Sequence, residues 1–206
     1  MINSDDNVDI VDIVDIEKFE KIQGLFYIDN IKEDTSFVIS ELDKLEWIPL
    51  SNYKNSRLVQ HYGYKYNYST YQINEKCNEL PIFLNNFRDI LTDICLQLNI
   101  IDKNYKFNQC IVNNYYTGQG INPHIDVKSY GSVIGCFTFG SGTIMKFTKD
   151  KDDIDIYVKP NSLYIMSGDS RYKWCHSMPC KKNDIVNNSK IQRDRRISLT
   201  FRNVPN

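Results

Sequence analysis

A series of short segments rich in valine, isoleucine, phenylalanine, tyrosine and threonine restricts the fold of this chain more than any other feature. The segments begin near residue 107, and turn residues separate them at Gly118-Gln119-Gly120, Gly140-Ser141-Gly142 and Pro160-Asn161. β-Branched and aromatic residues favour strands, and many short strands joined by such turns are typical of a β-sandwich or barrel. The predicted strands cover residues 24–31, 108–116, 132–139, 143–147, 155–159, 162–166 and 196–204. The polar stretch 181–194 is predicted to be a solvated loop.

Two amphipathic helices are predicted before most of these strands. Residues 34–36 supply N-cap side chains, and Val38, Leu42 and Leu45 then follow at helical spacing. A second helix is predicted over residues 81–99, and its apolar stripe consists of Phe83, Phe87, Ile90, Leu91, Ile94 and Leu98. Because the helices come first and the strands later, the sequence predicts a mainly β (α+β) fold, a jelly roll buttressed by two helices from the N-terminal half.

The length and composition indicate a soluble protein of one domain, with or without an appendage. The formal net charge of -1 gives no overall basic excess, so any contact with nucleic acid must come from local patches. The six cysteines are scattered without a Cys-x-x-Cys pair, which favours reduced intracellular thiols over disulfides or a zinc site. No apolar run approaches the roughly 18 residues of a membrane span, and the acidic N-terminus is unlike a signal peptide.

The N-terminal segment contains a low-complexity repeat. Residues 8–16 read Val-Asp-Ile three times, and a period of three matches neither a strand nor a helix. We therefore divide the chain into an acidic and apolar tail, residues 1–22, and a folded domain, residues 23–206.

Three candidate metal ligands lie in the strand-rich half of the chain. His124 and Asp126 are two residues apart, so on a strand both side chains point to one face and can meet one metal ion. His176 lies at the far end of another predicted segment. Two imidazoles and a carboxylate can occupy one face of an octahedron and leave other positions open, as in non-haem Fe(II) oxygenases. Zinc accepts the same ligand types, so the ligand set alone leaves zinc open.

The last predicted strand has one polar face. Period 2 places Ile197, Leu199 and Phe201 on one side. The other side carries Arg196, Ser198, Thr200 and Arg202. An exposed edge strand would share this pattern, but a strand that lines a cavity is the other interpretation. Six residues of strand span about 20 Å, so two arginines could bracket a small dicarboxylate. Asn113 and Tyr115, also two apart, could aim further donors at the same cavity.

Together these motifs resemble the AlkB family of Fe(II)/2-oxoglutarate-dependent dioxygenases. The matching runs are Asn113-Asn114-Tyr115, Gly118-Gln119-Gly120, Pro123-His124-Ile125-Asp126, residues 167–176 and residues 195–202. The resemblance covers roughly residues 24–204 and implies a double-stranded β-helix, which is a jelly roll. It implies that Fe(II) is held by His124, Asp126 and His176. It also implies that 2-oxoglutarate is bound by Asn113, Tyr115, Arg196, Ser198, Thr200 and Arg202, with Arg196 at the far carboxylate and Arg202 nearer the iron.

The resemblance further implies oxidation of a modified or alkylated nucleobase in RNA or DNA. Residues 57–68 are similar to the family's substrate lid, and they interleave cations with four tyrosines, a combination suited to phosphates and stacked bases. The candidate lid residues are Arg57, His61, Tyr62, Tyr64, Lys65 and Lys128. Lys128 stands where members that repair bases usually carry an acid. The motifs are most similar to the branch that hydroxylates a modified wobble uridine in tRNA, so demethylation and stable hydroxylation both stay open.

Three other functions remain to be distinguished. A dioxygenase of this type could act on a protein or a small molecule, which the net charge of -1 allows. A catalytically silent jelly roll could bind nucleic acid or protein, although such a module has no need of an intact triad and arginine pair. A zinc hydrolase would have no need of a dicarboxylate clamp.

Overall fold

The computed structural model describes residues 16–53 and 55–205. The described residues form three helices: α1 (Thr35–Asp43), α2 (Ile82–Gln97) and α3 (Gly168–Tyr172). They also form sixteen strands: β1 (Ile16–Lys18), β2 (Leu25–Ile28), β3 (Ile48–Pro49), β4 (Leu58–Tyr62), β5 (Tyr64–Asn67), β6 (Gln72–Lys76), β7 (Gln109–Tyr115), β8 (Ile121–His124), β9 (Ile134–Gly140), β10 (Thr143–Lys149), β11 (Asp152–Val158), β12 (Ser162–Met166), β13 (Cys175–Met178), β14 (Asn183–Val186), β15 (Ser189–Gln192) and β16 (Arg196–Arg202).

Two antiparallel sheets form the body of the protein. The larger sheet has the strand order β1-β2-β12-β9-β16-β7-β4-β3, and the smaller has the order β11-β10-β13-β8. A core cluster lies between them, in which Cys136 and Tyr164 of the large sheet meet Met145 and Phe147 of the small one. The prediction of a mainly β jelly roll is therefore confirmed.

The helices α1 and α2 cover the outer face of the large sheet, as predicted. Asp34 caps α1 by accepting hydrogen bonds from the backbone N–H groups of Ser36 and Phe37, at 2.9 and 3.2 Å. The apolar stripe of α2 packs on β9 and β16, and Leu91 lies so close to Gly135 that a Cβ there would stand 2.4 Å from its Cδ1. Glycine at this position lets the helix approach the sheet.

The strand β16 connects this core to the interior of the jelly roll. It pairs with β9 on one side and β7 on the other, so it lies in the middle of the large sheet. Ile197, Leu199 and Phe201 pack into the core beneath the helices. The alternate residues face the space between the two sheets, where they line a narrow inner cavity: Arg196, Ser198, Thr200 and Arg202. This strand is central, not an exposed edge strand, which resolves the alternative that its sequence left open.

The packed part of the chain begins before the predicted boundary at residue 23. The strand β1 pairs antiparallel with β2, and the side chain of Ile22 is fully buried. Residues 1–15, which hold most of the Val-Asp-Ile repeat, lie outside the described residues. The hydrogen bonds and burial of residues 16–22 place that segment with the domain and not with the tail.

The prediction of a solvated loop over residues 181–194 was wrong, because this stretch forms the hairpin β14-β15. Asn187 and Asn188 both adopt positive φ, at 49° and 62°, which is the conformation of a tight type I′ hairpin turn. At the base of the hairpin, Arg193 donates two 2.6 Å hydrogen bonds to the buried carboxylate of Asp184. The polar composition predicts a loop because it does not reveal that Asp184 and Arg193 are buried and paired with each other.

Replacing Asp184 with alanine should lower the free energy of unfolding by about 3–5 kcal/mol, since Arg193 would be left buried without its partner. Chemical denaturation would measure the loss. Asp29→Ala is the matched control, because it removes an exposed ion pair with Lys159 and should cost less than about 1 kcal/mol. Equal losses in the two variants would contradict the assignment of the buried pair.

None of the helices within residues 16–53 and 55–205 combines the length and hydropathy that a membrane-spanning helix needs. All six cysteines are free thiols.

Candidate functional site

The structure brings the three predicted metal ligands together at one end of the small sheet. The strand β13 pairs antiparallel with β8, so His176 lies opposite His124, and their ring centroids are 4.3 Å apart. Asp126 follows two residues later, just beyond the end of β8. One ligand atom from each of the three side chains lies within 4.8 Å of the others. His124 and Asp126, which are two residues apart in the sequence, therefore do lie close together, although Asp126 projects from a loop and not from the strand.

The electrostatics of this cluster suit a divalent cation. Burial alone would raise the pKa of Asp126, but Arg202 and the two histidines outweigh it and hold this pKa at about 2. Burial, together with the neighbouring His124, lowers the pKa of His176 to about 3. At neutral pH the carboxylate is thus ionised and the His176 imidazole is neutral, which are the forms that bind metal.

Hydrogen bonds orient the ligands. His124 Nδ1 lies 2.9 Å from the main-chain carbonyl oxygen of Asn122, which favours a proton on Nδ1 and leaves Nε2 for a metal. Arg202 donates a 3.0 Å hydrogen bond to Asp126 Oδ1. Asp126 Oδ2 is buried with no hydrogen-bond partner among the described residues, so this oxygen has coordination capacity to spare.

The guanidinium of Arg196 is a buried charge without a carboxylate. It is 4% exposed, and Nη2 donates a 2.9 Å hydrogen bond to Thr138 Oγ1. Within the described parts of the chain, its Nε has no hydrogen-bond partner and no carboxylate pairs with it. A buried cation in this state is costly unless an anion joins it. Arg202 differs because Asp126 already neutralises its charge. Of the two arginines expected to bind a dicarboxylate, only Arg196 therefore has an unneutralised charge.

The remaining predicted cofactor residues line the same inner cavity. Its walls include Asn113, Tyr115, His124, His176, Arg196, Ser198, Thr200 and Arg202. Asn113 Oδ1 accepts a 2.9 Å hydrogen bond from Arg57 Nε, and the Arg57 and Arg196 guanidinium carbons each lie 5.6 Å from the Tyr115 ring centroid. The cavity therefore offers a cation, hydroxyl groups and an amide beside the triad, a donor set that fits a small dicarboxylate.

An outer cavity of about 400 Å³ opens from the triad toward solvent. Four tyrosines line it: Tyr66, Tyr68, Tyr71 and Tyr130. The cations Arg57 and Arg202 also line it, and Asp126 is the one carboxylate among its described lining residues. A cavity of this size can hold a small ligand in contact with the metal ligands.

The predicted lid residues are only partly placed at this cavity. Arg57 lines it, whereas Tyr62 is 5% exposed, packs in the core beneath the helices and donates a hydrogen bond to Gln60 Oε1. Tyr64 is half-buried in β5, and Lys65 and Lys128 are exposed to solvent. None of these last four lines the outer cavity. Within residues 57–68, the outer cavity is lined by Arg57, Tyr66 and Tyr68.

His61 packs behind the tyrosines and is not part of the triad. Its Nδ1 accepts a 3.3 Å hydrogen bond from the backbone N–H of Tyr66, and its ring meets Tyr68 edge-on at 5.7 Å between centroids. Burial, together with Arg202, lowers the pKa of His61 to about 4, so it is neutral at physiological pH. His61 thus contacts two residues that line the outer cavity, Tyr66 through its backbone and Tyr68 through its ring.

Sequence reasoning missed Arg171, which lies in α3 between the two ligand-bearing segments. Its guanidinium is 1% exposed and donates hydrogen bonds to four main-chain carbonyl oxygens in the loop after Asp126. The acceptors are Asp126 at 2.9 Å, Val127 at 2.7 Å, Gly131 at 3.3 Å and Tyr130 at 3.4 Å. The Ser167–Ser170 capping box that starts α3 was the available sequence signal for this helix.

Residues 32–202 match the family described as the 2OG-Fe(II) oxygenase superfamily. The chain is 32% identical to the "Alkylated DNA repair protein ALKBH8 homolog" of Arabidopsis thaliana, over an alignment 213 positions long that covers 90% of the chain. The chain belongs to the AlkB family of 2OG-Fe(II) oxygenases. This AlkB-family chain is also 39% identical to "Uncharacterized protein L905" of Acanthamoeba polyphaga mimivirus, over an alignment 172 positions long that covers 81% of the chain. It is 31% identical over 79% of its length to "tRNA (carboxymethyluridine(34)-5-O)-methyltransferase ALKBH8" of Macaca fascicularis.

The AlkB-family chain spans different shares of these relatives. It covers 77% of the mimivirus protein, 59% of the Arabidopsis protein and 25% of the macaque protein. Among solved structures, that of OsALKBH1 matches with a TM-score of 0.71 and 16% identity, over 92% of this chain and 100% of that one. A 2OG-Fe(II) oxygenase family oxidoreductase from Burkholderia pseudomallei matches with a TM-score of 0.61 and 12% identity, over 87% and 83% of the two chains. These two likenesses show the shared fold.

The protein is an Fe(II)/2-oxoglutarate-dependent dioxygenase of the AlkB family. Its own residues fit both cofactors. The orphaned Oδ2 of Asp126 and the two imidazoles are suited to iron, and the unneutralised Arg196 is suited to the far carboxylate of 2-oxoglutarate.

Proposed function

We propose that this dioxygenase oxidises a modified or alkylated nucleobase in RNA or DNA. The observation that carries the proposal is the outer cavity, which joins four tyrosine rings and two arginines directly to the metal ligands. Aromatic rings stack on any base, and arginine holds phosphate, so this lining suits a nucleotide. A protein side chain or a small metabolite would have no general need of so many rings at the entrance.

The tyrosine rings are arranged as surfaces for a flat group. Tyr66 meets Tyr68 edge-on at 4.9 Å between centroids and lies 6.3 Å from Tyr130 at an interplanar angle of 38°. Arg202 lies 4.9 Å from the Tyr130 ring centroid, which fixes that ring next to Asp126. A base held among these rings would have its reactive substituent near the triad. A base within a duplex would first have to leave the stack to reach this depth.

The chemistry divides between the cofactors and the chain. When bound, iron and 2-oxoglutarate supply, with O₂, the oxidation of a substrate C–H bond to C–OH, and 2-oxoglutarate becomes succinate and CO₂. The chain would hold the iron with His124, Asp126 and His176, and it would orient 2-oxoglutarate with Arg196. A hydroxyl placed on an N-methyl group is lost as formaldehyde, whereas a hydroxyl on a carbon substituent persists.

We place tRNA first among the nucleic acids to be tested. The macaque relative is named as a tRNA methyltransferase, and the Arabidopsis relative is named for repair of alkylated DNA. Lys128 is exposed on the loop after Asp126 and does not line the cavity, so the metal ligand Asp126 is the one carboxylate among the described lining residues that a cationic alkylated base would meet. We also infer an intracellular site of action, which the six free cysteines support.

Nucleoside mass spectrometry tests the proposal. The protein, with Fe(II), ascorbate and 2-oxoglutarate, is incubated with bulk tRNA and with N-methylated RNA and DNA oligomers, and His124→Ala serves as the inactive control. We expect either loss of N-methyl groups or a nucleoside that has gained one oxygen atom, with the wild type only. Consumption of 2-oxoglutarate without any nucleoside change would overturn the nucleic-acid proposal and favour a protein or small-molecule substrate.

A further inference from the structure

A second and larger groove of about 950 Å³ adjoins the outer cavity, and we name it the flank groove. It lies between the loop before β4, which carries Tyr53, and the turn after β7, which carries Tyr116. Arg57 and Asn122 line both the flank groove and the outer cavity, so the two spaces are adjacent. A chain-like ligand with one unit in the outer cavity could therefore continue along the flank groove.

The flank groove presents exposed aromatic rings. The side chain of Tyr53 is 84% exposed and that of Tyr116 is 50% exposed. Burial of Tyr53 contributes little to the stability of the fold, since most of its side chain stays in water, and half of Tyr116 is also open to solvent. Open rings on a groove wall offer stacking surfaces to unpaired bases.

The charge of the flank groove is complementary to a phosphate backbone. Arg57 and Lys182 line it, and its described lining residues include no carboxylate. Lys182 is exposed, and within residues 16–53 and 55–205 it has no ion-pair partner. Its main-chain oxygen accepts a 2.9 Å hydrogen bond from the N–H of Arg193, the residue that anchors the hairpin, so the position of the lysine is fixed while its ammonium stays free.

The two walls of the flank groove are tied together. Gln119 Nε2 donates a 2.9 Å hydrogen bond to the main-chain oxygen of Asn55, and Gln119 Oε1 accepts a 2.7 Å hydrogen bond from the N–H of Tyr116. The groove is thus present before any ligand binds, which reduces the entropy that a bound strand would have to overcome.

We infer that the flank groove binds the single-stranded nucleotides next to the target base, with Tyr53 and Tyr116 stacking on bases and Lys182 contacting a phosphate. This inference rests on the proposed function, because it assigns the path of the same substrate. It is distinct from the outer cavity, since neither tyrosine contacts the triad or lines the inner cavity.

Fluorescence anisotropy with labelled single-stranded RNA and DNA tests the inference. A labelled single nucleotide and oligomers of about ten nucleotides are compared, because one nucleotide occupies the outer cavity alone whereas the oligomers also reach the flank groove. The variants are Tyr53→Ala/Tyr116→Ala and Lys182→Glu. The control is Lys151→Glu, which makes the same charge change at an exposed site in the turn between β10 and β11, outside the flank groove.

We expect both flank-groove variants to bind the oligomer about tenfold more weakly than the wild type. Their affinity for the single nucleotide, and the affinity of Lys151→Glu for the oligomer, should change by less than about twofold. For Lys182→Glu, the negative slope of log affinity against log salt concentration should become shallower by about 0.7, as expected for the loss of one phosphate contact. Wild-type affinity for the oligomer in the flank-groove variants would overturn the inference, and the proposed function would stand if the oxidised nucleoside still forms. A wild type that neither binds nor oxidises any nucleic acid would overturn both.

Discussion

Replacing His124 with alanine should lower 2-oxoglutarate turnover by at least about a hundredfold. Even the loss of a residue that only hydrogen-bonds to a metal ligand typically lowers metal affinity or activity by about 10- to 100-fold. The domain should stay folded, because the ring is only half-buried and its contacts are with His176 and the Asn122 carbonyl oxygen. We expect the free energy of unfolding of the metal-free protein to change by less than about 1 kcal/mol. Succinate formation, bound iron per chain and chemical denaturation measure the three quantities.

The matched control is His61→Gln, which alters the third histidine of the chain. His61 lies outside the triad, so its iron content should equal that of the wild type, and glutamine can still accept the hydrogen bond from the Tyr66 N–H. Full succinate formation by His124→Ala would end the assignment of this histidine to the metal. Loss of iron from His61→Gln with a normal fold would show that the triad is not the complete ligand set.

Replacing Arg196 with alanine should raise the 2-oxoglutarate concentration that gives half-maximal rate by at least about thirtyfold, or about 2 kcal/mol, for a lost buried charge-assisted pair. Without cofactors, the variant should be as stable as the wild type or more stable. In the wild type the Arg196 guanidinium is buried with no paired carboxylate among the described residues, and the variant removes this unpaired charge. This combination separates a ligand-binding arginine from a structural one such as Arg193. Initial rates against 2-oxoglutarate concentration and denaturation curves measure the two effects.

Two further variants sharpen the test of Arg196. Arg195→Ala changes the adjacent arginine, which pairs with Asp43 on the outside of the domain, and should leave the 2-oxoglutarate requirement unchanged. Arg196→Lys keeps the charge but not the planar fork, so its requirement should lie between those of the alanine variant and the wild type. An unchanged requirement in Arg196→Ala would mean that another residue, with Arg202 the first candidate, binds the far carboxylate.

Much of the fold was predictable because the spacing of apolar residues in the sequence matches the faces that the strands and helices bury. The alternation along β16 separated its core face from its cavity face, and both faces lie where the sequence predicted. The stripe on α2 was found except for Leu84 and Cys95, which are fully buried although the predicted stripe omits them. Both ends of β12 and the starts of β10 and β16 match the prediction, and the other predicted strand ends differ by one to three residues, since hydrogen-bonded pairing and not composition determines where a ladder stops.

The candidate site was predictable where it depends on spacing and less so where it depends on tertiary packing. His124 and Asp126 lie two residues apart, and the polar residues of the inner cavity on β7 and β16 also recur every two residues. The lid did not follow this rule, because Tyr62 and Tyr66 sit in one polar-aromatic run but end in the core and at the outer cavity respectively. Arg171 and the Asp184–Arg193 pair look like ordinary surface charges in sequence, and only the folded chain shows that they are buried.

The four hydrogen bonds of Arg171 have a consequence for how the domain opens. Its side chain joins the loop after Asp126 to α3, which leads directly into the strand that carries His176. Neither segment can detach without breaking these bonds and leaving a charged group and several carbonyl oxygens unpaired in the interior. The two segments should therefore exchange their amide protons as one cooperative unit, and local fluctuations should release the metal ligands together instead of one at a time.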